Sequence, residues 1–522
     1  MFRWVRKALN IWRLVQQNGS EIKSKYLNEQ LTTNLAENIK TITKSFSYSN
    51  DVIVREFSCN ITIEHSLNFA LIYIEGLVSE DRIQQTVIKP IIEYNYSSKD
   101  PQQDYYSFVE SYVLTNSQVA RLESLNDSLD TLLAGDSILL VDGYNKSFFI
   151  GSKDWPTRGV EDTKTDVTIR GPHQGFTETL RINTTLIRRA IRNTKLTFES
   201  FIIGKQTRTD VVIAYLKGYV HPAILHEVKK RIKEIKADII LESGYIEELI
   251  SDSPLSMFST ISYTERPDVV ASKLLEGRVA IIIDGTPIVL TAPKVFIESF
   301  QHPADYYVGP SYYTSILRAI RFISFLISTT LPAIYVAVTS YHMEMLPAPL
   351  LKTIQQAMEG TPFPSPISIL IMLFIAEILN QASVGLPRQI GQAVSIVGAL
   401  VLGEAAVASG LIGDPEVIIV GLSVVSSYAA IKLIESMTIL RVVLLILATV
   451  LGALGIAVGV LFILTYLSTL TSFGVPYLTP IAPIITTDID DTLFRDILSK
   501  APSKAKTIKP VETTKQFNKQ EN

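Results

Sequence analysis

Hydrophobic positions follow two different rhythms along this chain. Between about residues 50 and 310, short β-rich apolar runs alternate with amphipathic stretches of period 3.6. Ala70–Val78 reads ALIYIEGLV and leads into a helix-like run ending near Ile91. Val212–Val220 reads VIAYLKGYV and leads into a similar run through Ile235. A second echo follows each of these. Ser137–Phe149 reads SILLVDGYNKSFF, and Arg278–Leu290 reads RVAIIIDGTPIVL. In both, an Asp-Gly pair (Asp142-Gly143, Asp284-Gly285) falls where a tight hairpin turn needs positive φ. A strand–helix–hairpin order met twice predicts two similar α/β subdomains. They are expected over 30–152 and 197–310. A linker over 153–196 joins them, with Gly, Pro and Thr clusters and a basic helix, Arg181–Arg192.

From Phe322 onward the alternation gives way to long apolar runs. Phe322–Tyr341 and Val442–Thr487 contain no Asp, Glu, Lys or Arg. About 20 such residues span the hydrocarbon core of a bilayer. Candidate spans are Phe322–Tyr341, Ile367–Val384, Ile390–Leu411, Glu416–Ile434 and Val442–Leu467. Phe473–Ile485 is apolar but short and carries Pro476, Pro480 and Pro483, so it is expected to be interfacial or re-entrant. The fold class is therefore an α+β multidomain integral membrane protein. Two α/β subdomains on the cytoplasmic side precede an α-helical transmembrane domain over 314–487. A Lys- and Thr-rich tail, 488–522, is expected to be largely disordered.

Over residues 1–20, Trp4, Val5, Ala8, Leu9, Ile11, Trp12 and Val15 share one side of a helical wheel, and Arg3, Arg6, Lys7 and Arg13 the other. The scattered charges exclude a signal-peptide core. Trp4, Arg6, Lys7, Trp12 and Arg13 would suit a helix anchored in the headgroups of an anionic leaflet. A helix packed on the soluble region fits the same pattern.

Composition agrees with this division. Of 522 residues, 47% are hydrophobic and 19% charged, with a mean hydropathy of +0.25. A net charge of -3 excludes a strongly basic nucleic-acid binder. A single cysteine, Cys59, excludes a disulfide framework and a Cys-rich zinc site. Arg318 and Arg321 ahead of the first span place the N-terminal half inside. The tail lysines also say inside, whereas five full spans would place the tail outside. Either one candidate is re-entrant or a sixth crossing is hidden in the proline-rich stretch.

Glu377 and Gln381 in the second span and Glu404 in the third are costly at bilayer depth unless they face a polar interior or a water path. Glu377 and Gln381, four apart, share a helical face, and Arg388 follows them. Pro332 inside the first span frees a backbone carbonyl. In an oligomer, an acid from each copy could form a ring that selects cations. Interhelical hydrogen bonding or an interfacial position would explain the same acids without a pore. No P-loop, nucleotide fingerprint, nucleophile elbow or zinc-hydrolase motif occurs, which argues against an enzyme and calls for no cofactor.

At Arg170–Gly218 the chain reads RGPHQGFTETLRINTTLIRRAIR and then FIIGKQTRTDVVIAYLKG. The membrane half adds LPAIYVA (331–337), His342-Met343-Glu344 followed by Pro347, and LPRQIGQAVSIVGALVLGEAAV (386–407). Over roughly 45–490 this resembles the A subunit of the GerA family of spore germinant receptors. The family pattern has a basic–acidic pair where this chain has His173-Gln174, and an amide where it has Glu404. The resemblance implies a multi-pass protein of the spore inner membrane. Its partners would be a transporter-like B subunit that senses nutrient and a lipoprotein C subunit. It further implies a homo-oligomer, with a pentamer as the expected form, that conducts ions when nutrient is bound. A direct small-molecule receptor, a non-conducting scaffold and the paralogous stage V sporulation AF proteins are the competing readings.

Overall fold

The computed structural model describes residues 30–60, 66–94, 105–155, 171–307, 310–384, 401 and 403–482. The anchor residues Trp4, Arg6, Lys7, Trp12 and Arg13, then Arg388, most of the third candidate span and the tail all lie outside the described residues.

Each soluble unit is a five-stranded antiparallel sheet between two helical layers. The first holds β1 (Val52–Asn60), β2 (Ser66–Ile74), β3 (Val119–Leu122), β4 (Ser137–Val141) and β5 (Ser147–Ile150), in the order β1-β2-β4-β5-β3. The second holds β6 (Leu196–Ile203), β7 (Thr209–Leu216), β8 (Ser262–Thr264), β9 (Val279–Ile283) and β10 (Val289–Ala292), in the order β6-β7-β9-β10-β8. The two orders are the same. Successive strand side chains point to opposite faces, and the burial follows that period of two. In the first unit Phe69, Leu71, Leu139 and Val141 meet Ile83, Val87 and Ile91 of the helical run over 80–93. The even-numbered Ala70, Ile72, Ile138 and Leu140 meet α1 (Leu35–Ser45) and a helix over Leu125–Leu133 on the other face. The second unit repeats this. Val211, Ile213, Ile281 and Ile283 face α2 (Pro222–Glu234) and α3 (Ser243–Ile250). Val212, Ala214, Ala280 and Ile282 face α4 (Leu180–Ala190) and α5 (Pro267–Leu275).

The likeness extends to single hydrogen bonds. Asn38 Oδ1 accepts from the Thr32 N–H and its Nδ2 donates to the Thr32 carbonyl, while Asn183 makes the same pair with Thr177. Asp142 accepts from the Leu35 N–H, and Asp284 from the Leu180 N–H. Gly143 and Gly285 both adopt positive φ, as the Asp-Gly turns demand. The basic helix assigned to the linker is thus α4, occupying in the second unit the place of α1 in the first.

The C-terminal half is a helical bundle. α6 (Ser311–Tyr341) runs from the second unit to the opposite end, followed by α7 (Ala348–Met358) and α8 (Ser365–Val384). A short helix over 403–408 precedes α9 (Asp414–Ser427), α10 (Ile434–Leu451) and α11 (Ala453–Thr469). Among the described residues, three stretches are long and apolar enough to cross a membrane: Ser311–Tyr341, Ser365–Ala382 and Asp414–Leu451. The last is folded back on itself at Ala430, which leaves helical φ/ψ, so that Arg441 reaches the Ser423 carbonyl 18 residues earlier. Two boundaries therefore differ from the sequence reading. The fourth apolar helix ends at Ser427, and Val442–Leu467 is broken by Gly452 (φ +62) into the antiparallel pair α10 and α11. A continuous apolar run does not reveal where a glycine reverses it. At Gly452 a Cβ would lie 3.0 Å from the Tyr341 ring.

The second unit sits directly on one end of the bundle, here called its base. Phe258, Phe296 and Phe300 of the unit pack with Phe325 of α6, Met437 and Leu440 of α10, and Leu467 of α11. The described part of the proline-rich stretch turns back onto this unit. Phe473 enters the core beneath β7 and β9, and Tyr477 joins the aromatic cluster at the base.

Candidate functional site

Proline in α6 has a consequence two helices away. Pro332 has no N–H to offer the carbonyl of Ser328, four residues before it. That carbonyl instead accepts from Arg441 Nε at 2.9 Å and Ser423 Oγ at 2.8 Å. Arg441 Nη2 adds bonds to Ser328 Oγ (2.7 Å) and the Ser423 carbonyl (3.4 Å). The guanidinium is buried and ties α6, α9 and α10 together. In the sequence Arg441 stands just ahead of the charge-free run Val442–Thr487. The structure places it two turns inside α10. Its signal was the combination of a span-interior proline with Ser328 and Ser423 in otherwise apolar runs.

Beside this node lies a cavity of about 500 Å3 between α8, α9 and α10. Its wall is mainly apolar, with Leu373 and Phe374 from α8, and its polar groups are Glu377, Asn380, Ser427, Thr438 and Arg441. Glu377 accepts a hydrogen bond from Gln381 Nε2 at 3.2 Å, and Tyr428 donates to Asn380 Oδ1 at 2.6 Å. Glu377 is half-buried and Gln381 exposed, so this polar edge of α8 is only partly covered by its own bundle. Glu404 is exposed near the other end, its neighbour Gly403 lying against Val417 in the first turn of α9. The structure thus brings Glu377 and Gln381 together, puts Pro332 on the far side of Arg441, and leaves Glu404 apart.

The base carries the strongest electrostatics. Arg321 holds Asp305 bidentately (2.7 and 2.9 Å) and Arg318 Nε lies 3.3 Å from the same carboxylate. Burial alone would raise the Asp305 carboxyl, but the Arg321 bonds outweigh it and the group sits below its usual range. Lys294, buried where β10 meets the bundle, is pushed down to about 7, first by burial and then by the like charges of Lys432 and Lys273. Glu247 and Glu435 oppose that shift only in part.

Between the two soluble units the contacts converge on α4. Arg188, buried, binds Asp51 through Nε (2.9 Å) and Nη2 (2.8 Å), and stacks over Phe198 at 5.0 Å. Arg181 pairs with Glu75 at 2.8 Å, and Arg189 lies 4.9 Å above the Trp155 ring. Gly76 comes so close to Thr185 that a Cβ there would meet its Oγ1 at 2.1 Å. Counting from the equivalent starts Leu35 and Leu180, the first unit has Ala36 and Thr43 where the second has Arg181 and Arg188. The arginines that make α4 basic are those that grip the first unit.

Residues 40–507 match the model of the Bacillus/Clostridium GerA spore germination protein family. The chain belongs to the GerA family. Among its GerA relatives, spore germination protein KA of Bacillus subtilis (strain 168) is 40% identical over 89% of this chain and 85% of that protein. Spore germination protein GerLA of Bacillus cereus is 33% identical, over 92% of this chain and 99% of its own length. A crystal structure of the N-terminal domain of the A subunit of the Bacillus megaterium spore germinant receptor GerK3 is 36% identical. It covers 51% of this chain and 98% of that domain, with a TM-score of 0.41.

Proposed function

We propose that this GerA protein is the A subunit of a nutrient germinant receptor in the spore inner membrane, where several copies surround an ion passage that opens on nutrient binding. The family and the names of its relatives support the receptor role. One observation carries the conducting role: Glu377 and Gln381 form a polar edge on α8 that the bundle leaves partly uncovered. Facing hydrocarbon, that edge would be expensive. Facing other copies around water, it is stabilised and can select cations. Nutrient sensing then belongs to a B subunit, with a lipoprotein C subunit completing the receptor. The nutrient signal biases one of two packings of the bundle.

A topology for this reading is supported by the end of the bundle that each described helix reaches. α6 leaves the base and α8 returns to it, with Asn380 beside Tyr428. The chain reappears at the opposite end, where Gly413 approaches the Ala357 carbonyl. α9 returns, α10 leaves and α11 returns. Six crossings would put the tail on the same side as the soluble units, in keeping with its lysines. The test is cation flux through complete receptors in vesicles or germinating spores. Glu377→Gln is expected to lower cation release and weaken cation selectivity. Unchanged flux and selectivity in both Glu377→Gln and Glu404→Gln would remove these acids from the passage.

A further inference from the structure

One loop of the second unit is held at the level of the bundle's base with its tip left bare. The loop runs from Ser251 to Phe258, between α3 and β8. Its flanks are clamped. Asp252 takes Arg231 Nη2 at 2.8 Å and the Phe473 N–H at 2.7 Å. Ser256 Oγ lies 2.8 Å from the Tyr466 hydroxyl of α11, and the Met257 carbonyl accepts from Ser436 of α10. Phe258 sits among Phe296, Tyr466 and Tyr477. Pro254 and Leu255 form the tip, and Leu255 is fully exposed.

A fully exposed leucine on a loop clamped at both flanks is held out from the second unit rather than free to fold back onto it. The clamps place the loop at the helix ends of the bundle. Tyr466 and Ser436 belong to the terminal turns of α11 and α10, so the tip stands beside helix ends that enter hydrocarbon within a turn or two. Leu249, also exposed, lies on the last turn of α3 leading into the same loop.

We propose that Leu255 is seated in the headgroup–acyl boundary of the bilayer, so that the second unit holds the membrane surface at a point beside the bundle. This rests on the reading of the bundle as membrane-spanning. It adds a lipid contact made by the soluble half itself. With the loop bonded to both α10 and α11, lipid pressure on the tip bears directly on the ends of those helices.

The test uses the full chain in lipid nanodiscs, with Cys59→Ser as background and one fluorophore at Leu255→Cys, Leu461→Cys or Lys205→Cys. Leu461 is exposed on α11, and Lys205 is exposed in the β6–β7 turn at the end of the sheet away from the bundle. Leu255 contacts no other residue closely, so its replacement is not expected to disturb folding. Brominated lipid is expected to quench the labels at 255 and 461 strongly and the label at 205 little. A label at 255 no more quenched than that at 205, with 461 quenched, overturns the loop contact and leaves the membrane reading standing. A label at 255 shielded from both brominated lipid and aqueous iodide also overturns it, since protein would then cover the tip. Loss of quenching at 461 as well would overturn the membrane reading itself.

Discussion

At the scale of single residues, Pro332 and Arg441 are two halves of one device. A proline inside a helix ordinarily costs about 3 kcal/mol or more. Here the cost leaves a carbonyl for a buried cation, and hydrogen bonds to charged groups contribute about 1.5–3 kcal/mol each. Pro332→Ala should therefore recover little of the usual gain while Arg441 is present, and more of it in an Arg441→Met background. A double-mutant cycle on thermal unfolding is expected to return a coupling of about 1.5–3 kcal/mol. A coupling near zero would mean that the two residues act independently. Lys294 gives a prediction in pH. Its folded-state value, about 7, lies far below that of an exposed lysine. Between those two values the unfolded chain binds the extra proton, so stability rises with pH across that window. Below about 7 both states are protonated and the full burden of burying the charge is felt. Lys294→Met should thus stabilise most below pH 7, and its advantage should shrink as pH climbs toward 10. A pH-independent difference in melting temperature would contradict this account.

At the scale of elements, α4 decides whether the two soluble units move as one. Binding by closure of two lobes needs a compliant joint, whereas this joint contains a buried bidentate ion pair and a glycine pressed against Thr185. Removing one partner of such a pair costs about 3–5 kcal/mol. Arg188→Leu and Asp51→Asn should each lower the melting temperature of the soluble half, and together should cost much less than their sum. Additive losses would show that the pair does not couple the units. The sheets were legible in the sequence because apolar runs as short as Ile138–Val141 and Val279–Ile283, each closed by an Asp-Gly pair, suit strands covered on both faces better than helices. The Asp-Gly turns fixed their hairpins. The role of α4 was not legible, because a basic amphipathic helix in a Gly- and Pro-rich stretch reads as a connector until its arginines meet Asp51 and Glu75. The reversals at Ala430 and Gly452 were hidden for a different reason. Hydropathy reports how apolar a run is, and a tight helical hairpin is as apolar as a straight span. Among the polar positions, Glu377 lines the cavity, Gln381 bonds to Glu377, and Pro332 leaves free the carbonyl that Arg441 takes, while Arg441 itself escaped because a charge at the edge of an apolar run looks like the end of that run.

At the scale of the whole molecule, the bundle is joined to the second unit at several points: the start of α6 through Asp305, Arg318 and Arg321, the α9–α10 turn, and the stretch after α11. On the proposed six crossings, a reactive probe at Lys519→Cys should be labelled only from the side on which the soluble units lie. Labelling from the opposite side alone would require an odd number of crossings. The order in which these attachments are made has a further consequence. A ribosome delivers Phe473 and Tyr477 only after every helix of the bundle, yet Phe473 belongs to the core beneath β7 and β9. The second unit can begin to fold early in synthesis but is completed last, by side chains that arrive from beyond the final helix. Insertion into the bilayer and completion of the soluble core are thereby made a single event, and a chain whose last hairpin fails to insert leaves an unfinished domain behind it.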